Sequence, residues 1–311
     1  MARNPVQFQK GLSLADFNAR YGREERCHAA LIKMRWPEGF VCPKCGGRKH
    51  SYARARRIFQ CSVCRTQTSV KAGTIFHKSR APLVKWFLAI YLLTQSKNDV
   101  AALELARQLG VKWDTAWLMK QKLMETMRLR NRNYKLKGDV QLDDAYLGGE
   151  KPGKRGRGAA NKIPFVIAVE TREDKPIYTQ LRRVAGFTSN EIEAYAAASI
   201  EAGAHVVTDG LACFAALTGI GMMHRPTVTG GGRPDEPELK WVNTGLGNIK
   251  SAITGTCRAI RPRHAERYLA AYEYRFNRRF DLEIMVERLV AVAAKTAPQP
   301  RSSISPEEMS G

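Results

Sequence analysis

The stretch Val140-Gln-Leu-Asp-Asp-Ala-Tyr-Leu147 decides how the second half of the chain is read. It is a short apolar run with two adjacent acids in its middle, and its length and composition suit a strand. Asp143 therefore lies within a strand. Asp209 follows a second apolar strand, His205-Val-Val-Thr208, and precedes Gly210. An acid at a strand end beside a glycine turn is placed to protrude into a cleft. Either aspartate alone reads as an ordinary turn or cap residue. On neighbouring strands the two could share divalent cations, because magnesium takes oxygen ligands and leaves positions open for water and phosphate. Paired metal ions roughly 3.5–4 Å apart support phosphoryl transfer.

Pro164–Val169, Ile177–Leu181 and Ala204–Val207 read as further strands, with Asn190–Glu201 as a helix among them. The order β-β-β-α-β-α suits a ribonuclease-H-like sheet. Lys151–Asn161 (KPGKRGRGAAN) reads as a flexible basic loop and Gly230–Glu238 as another, and the polar tail from Pro298 is expected to be disordered.

Upstream, Cys42-Pro-Lys-Cys45 and Cys61-Ser-Val-Cys64 form two CxxC knuckles separated by fifteen residues. Each knuckle sets two thiolates on one tight turn, and two turns together make the tetrahedral sulfur cage that zinc prefers. Four thiolates close the site, so Cys42, Cys45, Cys61 and Cys64 imply a structural zinc ribbon. Cys27, His28 and His77 fit the cage less well and read as core or surface residues. Arg48, Lys49, Arg54, Arg56, Arg57 and Arg65 decorate the ribbon, which suits contact with a DNA backbone.

Residues 80–132 are periodic and helical. Asn98-Asp99 can cap a helix from Val100 to Leu109, Gly110 ends it, and a second helix runs from Asp114 to Arg130 with Asp114 or Thr115 at its cap. Two helices across a short glycine turn make a helix-turn-helix pattern. The second helix would be the reader, with Lys112, Lys120, Lys122 and Arg128 near phosphates or base edges. Trp86, Phe87, Leu88, Tyr91, Trp117 and Met124 are expected in the core.

The chain has 311 residues, enough for two or three domains, with 44% hydrophobic and 26% charged residues. Global disorder is excluded by that balance. The longest apolar run, Trp86–Leu93, is too short to span a membrane, and Met1–Leu12 lacks the apolar core of a secretory signal. Seven cysteines, an odd number, imply a reducing compartment and metal binding over a disulfide framework. The net charge is +22. Residues 1–138 hold 28 basic and 8 acidic residues, whereas residues 139–311 hold 23 and 21. A field concentrated in one half draws polyanions, and nucleic acid is the obvious one.

The expected architecture is a multidomain α+β protein: an N-terminal helical segment at 1–38, a zinc ribbon at 39–78, a helix-turn-helix-like DNA-binding region at 79–135, a ribonuclease-H-like α/β catalytic domain at 136–296 and a tail at 297–311. The ordered set of motifs resembles a prokaryotic insertion-sequence transposase of the DDE superfamily, in the zinc-ribbon-bearing, ISXO-like group. The carrying segments are Arg35–Cys45, Gln60–His77, Trp86–Tyr91, Leu142-Asp-Asp-Ala-Tyr-Leu-Gly-Gly149, Val207-Thr-Asp-Gly210, Trp241-Val-Asn-Thr-Gly-Leu-Gly-Asn-Ile-Lys250 and Tyr268–Arg279.

The resemblance implies Asp143 and Asp209 as the first two catalytic acids, bound to magnesium or manganese. Many relatives carry Glu at the third position with a basic residue seven places on. Here Lys250 matches the basic residue and Asn243 stands where Glu would, as in some members of the group. An amide oxygen can ligate magnesium without offsetting its charge. Asn248 is the next candidate, and Glu236, Glu238 or Asp144 could supply a carboxylate. Strand alternation turns Asp144 away from Asp143. Lys250, Arg275, Arg278 and Arg279 would line the DNA path. The implied activity is cleavage at terminal inverted repeats followed by 3′-OH strand transfer into double-stranded target DNA, by a dimer or higher oligomer in the cytoplasm at the bacterial nucleoid. The rival readings are a zinc-ribbon/helix-turn-helix regulator without catalysis, and a decayed transposase.

Overall fold

The computed structural model describes residues 10–148, 162–227, 237–257 and 260–305. The expected basic loop Lys151–Asn161, and residues 230–236 of the second expected loop, lie outside these. The chain divides into two compact units, Met1–Thr126 with Arg279–Gly311, and Met127–Arg278.

The first unit opens with α1 (Leu14–Tyr21), whose N-cap Ser13 hydroxyl accepts the Asp16 N–H at 3.0 Å. Next comes α2 (Glu24–Arg35). Strands β1 (His50–Ala53), β2 (Ile58–Cys61) and β3 (Gln67–Ser69) pair antiparallel in that order. Their small core is aromatic: Phe40 stacks on Phe59 with centroids 4.9 Å apart, and Trp36 meets both rings edge-on. Helix α3 (Leu83–Gln95) buries Trp86, Phe87, Ile90 and Leu93. Pro82 offers it no side-chain cap, so Glu24 serves, its two oxygens each 2.9 Å from the N–H groups of Leu83 and Val84.

Helices α4 (Ala102–Leu109) and α5 (Trp113–Asn131) lie on either side of the turn at Gly110, close to the expected bounds. Gly110 terminates α4 at φ +58°, a left-handed conformation that glycine adopts without a Cβ clash. The expected cap does not form. Ala101 is the N-cap residue of α4, and Asp99 instead accepts the Val100 N–H at 2.8 Å and the Lys120 ammonium at 2.5 Å.

The second unit is built on a five-stranded sheet. Strands β4 (Asp139–Leu147), β5 (Ile163–Arg172) and β6 (Lys175–Arg183) form an antiparallel meander. After α6 (Ser189–Ser199), β7 (His205–Thr208) returns parallel to β4. The short α7 (Ala216–Gly219) then leads to β8 (Met223–Pro226), parallel to β7. The order β6-β5-β4-β7-β8 is the ribonuclease-H-like arrangement the sequence implied. Strand β8 was not anticipated, since Met-His-Arg-Pro has no apolar alternation and survives as an edge strand ending in proline.

Helices α8 (Lys240–Thr256) and α9 (Pro262–Phe276) complete the unit. Alternation along β4 sends Val140 and Leu142 into a core with Ile192 and Tyr195 of α6. Ala145 and Leu147 enter the opposite core with Val242, Leu246 and Ile249 of α8 and Leu269 of α9. As expected, the aromatic residues of α9 are packed: Tyr274 is buried and Tyr272 lies against the second of these cores.

The C-terminal segment differs from the expected boundary at 296. Helix α10 (Leu282–Lys295) packs on α2 and α3 of the first unit, and the Gln95 amide donates to the Leu282 carbonyl at 2.9 Å. Met285, Val286, Leu289, Val290 and Ala293 make one apolar stripe at helical spacing, and the first unit covers it. The described part of the tail is ordered too. Helix α11 (Arg301–Ile304) buries Ile304, and Arg301 lies 3.4 Å from Asp114.

Candidate active site

In the ribbon, the Sγ atoms of Cys42, Cys45, Cys61 and Cys64 all lie within 4.8 Å of one another, with Cys42–Cys64 and Cys45–Cys61 each at 3.6 Å. Zinc–sulfur bonds of about 2.3 Å in a tetrahedron require nearly this spacing. A Cβ at Gly47 would come within 3.3 Å of both the Cys45 and Cys61 sulfurs, so the knuckle needs glycine there. The Thr66 hydroxyl and N–H hold the Cys64 thiol down at about 6, favouring the thiolate that a metal binds. The other candidates are engaged elsewhere. Cys27 is buried with its thiol against the Tyr21 carbonyl at 3.0 Å, and burial pushes it up to about 12. His77 Nδ1 accepts the Gly73 N–H at 3.1 Å.

The carboxylates meet because of strand register. Strands β4 and β7 pair Asp139 with His205 and Gln141 with Val207. Two residues further along, the same register sets Asp209 beside Asp143. Each of Asp143, Asp144 and Asp209 offers a carboxylate oxygen, and the three oxygens lie within 4.8 Å of one another. All three residues are half-buried. Desolvation, and then the charge of Asp209, push the Asp143 carboxyl up to about 7, against the opposing charge of Lys250. A desolvated cluster of carboxylates with a raised affinity for protons is a setting that a divalent cation relieves.

Asp144 corrects the expectation that alternation would remove it from Asp143. Pairing between β4 and β7 ends at Gln141, before the acids. The Asp144 N–H donates to Asp143 Oδ1 at 2.8 Å. The double acid Asp143-Asp144 was the available signal, and it required knowledge of where the partner strand stops.

Helix α8 is anchored over the same strand face as Asp143. Gln141 Oε1 accepts the N–H groups of Trp241 and Val242 at 2.8 and 3.0 Å, capping the helix start. Gly245 lies against Ile167, where a Cβ would meet the Ile167 Cδ1 at 2.9 Å. Ile167 is the antiparallel partner of Asp143. Asn243 is half-buried between these two anchor points, and Lys250 is exposed two turns on. Asn248 is exposed on the helix. Glu238 takes a hydrogen bond from the Thr227 hydroxyl at 2.7 Å and pairs with Arg225 at 2.8 Å. Glu236 lies outside the described residues.

The expected DNA-contacting cations divide by exposure. Arg54, Arg56 and Lys112 are exposed, and Lys122 and Arg128 half-buried. Arg57 pairs with Glu25 at 2.7 Å. Arg278 and Arg279 are half-buried, with their guanidinium carbons over the rings of Tyr274 and Phe280 at 3.8 and 4.3 Å. Two expectations are overturned. Lys120 is 0% exposed, its ammonium held by Asp99 and by the Val100 carbonyl at 2.6 Å, so it locks the two helices together and cannot reach DNA. Arg275 is also buried, on the face of α9 packed in the unit, and lines no surface path.

Residues 135–277 match the family described as the ISXO2-like transposase domain, and residues 22–67 match the transposase zinc-ribbon domain. The chain is 28% identical over 164 residues to an uncharacterized protein in transposable element ISH50 of Halobacterium salinarum. That match covers 47% of this chain and 54% of the relative, so the chain spans about half the length of the curated protein it resembles. Among solved structures, the catalytic core domain of BIV integrase is similar at 17% identity and a TM-score of 0.28, covering 43% of this chain and 81% of that one. The Mos1 strand transfer complex is similar at 13% identity and a TM-score of 0.29, covering 69% and 79%.

Proposed function

From the premise that the chain carries an ISXO2-like transposase domain behind a transposase zinc ribbon, we propose that it is the DNA transposase of an insertion sequence. The observation that carries this reading is the meeting of the Asp143, Asp144 and Asp209 carboxylates across β4 and β7. In this reading the ribbon and the α4–α5 pair bind the element's terminal inverted repeats through Arg54, Arg56, Lys112 and Lys122. The ribonuclease-H-like unit opens a phosphodiester to free a 3′ hydroxyl, and that hydroxyl attacks target DNA in line. One site serves both steps, because hydrolysis and strand transfer differ only in the nucleophile.

Asp143 and Asp209 would hold divalent cations, magnesium or manganese, with Asp144 close enough to share the load and Asn243 as the neutral ligand from α8. Held by these residues, divalent cations would lower the pKa of an attacking water or hydroxyl and would stabilise charge on a leaving oxygen. Lys250, exposed on α8 and within electrostatic reach of Asp143, would hold a phosphate of the bound strand. Cys42, Cys45, Cys61 and Cys64 would hold the structural zinc.

The test is Asp143→Asn and Asp209→Asn, assayed on DNA bearing the element's ends. Both variants should bind the ends like the parent and lose magnesium-dependent cleavage and joining by at least about 10³-fold. Cleavage retained in both would overturn the assignment. Asn243→Ala losing activity, with Asn243→Glu retaining it, would place a ligand at that position.

A further inference from the structure

Within the first unit, a cavity of about 420 Å³ opens where three segments meet: residues 77–81, the side of α5 that bears Asp114, Leu118 and Lys122, and residues 298–301 of the C-terminal tail. Lys78, Arg80, Lys122 and Arg301 line it. Among the described lining residues Asp114 carries the one carboxylate, and it is already matched, its Oδ1 lying 3.4 Å from the Arg301 guanidinium. Lys78, Arg80 and Lys122 are left without an acid to answer them in that lining. His77, also in the lining, accepts the Gly73 N–H on Nδ1 at 3.1 Å, so its neutral ring keeps the proton on Nε2 as a further donor.

Each segment is fixed by bonds of its own. Ser79, between Lys78 and Arg80, accepts the Trp86 indole N–H on its hydroxyl at 2.9 Å and the Lys71 ammonium on its carbonyl at 2.7 Å. In the tail, Ile304 is buried and its N–H donates to the Pro300 carbonyl at 3.2 Å. Lys122 lies eight residues beyond Asp114 on α5, or about 12 Å along the axis, too far to share that carboxylate. Its side chain is half-buried, and among the described residues no hydrogen bond or ion pair holds its ammonium. Burial pushes its pKa below the ordinary lysine value. A desolvated cation with no counter-charge is a cost that a bound anion removes.

We propose that this cavity is a phosphate seat for the DNA backbone, in which Lys78 and Arg80 join Lys122 of α5 and the tail supplies one wall through Arg301. The ligand chemistry is phosphate, from a DNA strand or from a free phosphate anion. The number of cations favours the strand. A phosphodiester carries a single charge, whereas three unanswered cations match successive phosphates, and Lys112, exposed at the start of the same helix, adds another. The tail fits a contributor better than an obstacle. A strap that kept DNA off α5 would present acids to it, and residues 298–304 (PQPRSSI) bring an arginine that neutralises Asp114. The inference rests on the transposase reading for its choice of DNA as the source.

The experiment is lysine footprinting of the full-length parent, with an acetylating reagent and mass spectrometry reading each lysine. One probe is a short mixed-sequence duplex without element ends, and the other is millimolar inorganic phosphate. Duplex at about ten times its Kd should slow acetylation of Lys78 and Lys122 roughly tenfold, as expected from the fraction of sites left empty. Protection by duplex and not by phosphate assigns the seat to DNA; protection by phosphate alone overturns DNA as the source. Unchanged acetylation of both lysines under both probes overturns the seat itself. Variants then check the charge count. Lys78→Gln/Arg80→Gln, at two exposed positions, should lower the slope of log K against log salt by about 1.8, at about 0.9 per lost phosphate contact, and an unchanged slope overturns the proposal. Arg301→Gln should weaken duplex binding, whereas tighter binding would make the tail an obstacle and overturn its part in the seat. A parent that cleaves no element ends would sink the transposase reading and leave the protection pattern to decide on the cavity.

Discussion

Asp143 and Asp209 stand side by side because each lies four residues beyond a register pair, Asp139 on β4 and His205 on β7. Sixty-five residues separate them in the chain, and the parallel pairing of two strands closes that gap. The site follows from the ladder between those strands, so its chemistry and its stability are linked.

Metal binding should release a proton. With Asp143 pushed up to about 7 by burial and by Asp209, the metal-free protein carries a proton there at pH 6 and largely lacks one at pH 8. Manganese titrations by calorimetry in buffers of different ionisation enthalpy should show close to one proton released at pH 6 and far fewer at pH 8. Apparent affinity should rise over the same interval. In Asp143→Asn the release should vanish.

Glu273 should make stability fall as pH rises. It is 2% exposed on α9, accepts the Leu181 N–H at 3.0 Å, and burial pushes its carboxyl up to about 8. The unfolded chain ionises this group near pH 4.3 while the folded chain keeps its proton. The folded state is therefore fully favoured by this group only below about pH 4, and loses that advantage between about pH 4 and pH 8. Glu273→Gln keeps the acceptor without the charge. Its melting temperature should exceed the parent's at pH 8 and match it near pH 4, as followed by circular dichroism.

The Lys120–Asp99 pair should prove structural. Asp99→Ala would strand a buried ammonium and should cost about 3–5 kcal/mol. Lys120→Met removes the counter-charge of the equally buried Asp99 carboxylate and should cost a comparable amount, whereas Lys120→Met/Asp99→Asn should recover part of the loss. None of these changes should alter the salt slope of DNA binding once folding is restored at low temperature, whereas exposed Lys112→Ala should lower the slope by about 0.9 with little change in melting. A slope change in Lys120→Met with unchanged stability would return Lys120 to the DNA surface.

Gly245 should be coupled to Ile167. A Cβ there would sit 2.9 Å from the Ile167 Cδ1, so Gly245→Val should destabilise by about 1–3 kcal/mol through overpacking and lift α8 off the sheet. Ile167→Ala makes room, and the double variant should recover part of the loss in a mutant cycle. Independent, additive effects would mean that the helix does not bear on that strand.

Removing zinc should unfold the ribbon first. Cys42→Ser, or chelation of the parent, should abolish hydrogen-exchange protection in β1–β3, because that small sheet rests on the sulfur cage and a small aromatic core around Phe40, Phe59 and Trp36. Metal analysis of the purified parent should find one zinc per chain. Protection that persists in Cys42→Ser would show that the aromatic core suffices alone.

Much of this molecule was legible from local pattern. The two CxxC pairs read as metal knuckles and Gly110 as the end of a helix, and the structure gathers the four cysteines and ends α4 at Gly110. The apolar run around Asp143 reads as a strand, although the expectation that Asp144 faces away from Asp143 did not hold. Misjudgements came where a partner elsewhere in the chain decides the outcome. Lys120 reads as one more cation on a basic helix until Asp99 is seen beneath it. Arg275 looks like part of an arginine-rich DNA path until α9 is rolled onto the sheet. The stripe Met285 to Ala293 announces an apolar helix face but not which unit covers it.

Chain chemistry alone thus pointed to most of the elements, to the four ribbon cysteines and to Asp143 and Asp209 as candidate acids, since these depend on residue spacing over a turn or a strand. Tertiary structure decided what each charge faces. Pairing of β4 with β7 brought Asp209 to Asp143, and the folded site gathers Asp144 with them. A carboxylate or guanidinium takes its function from its desolvation and its neighbours, and those are properties of packing between segments remote in sequence.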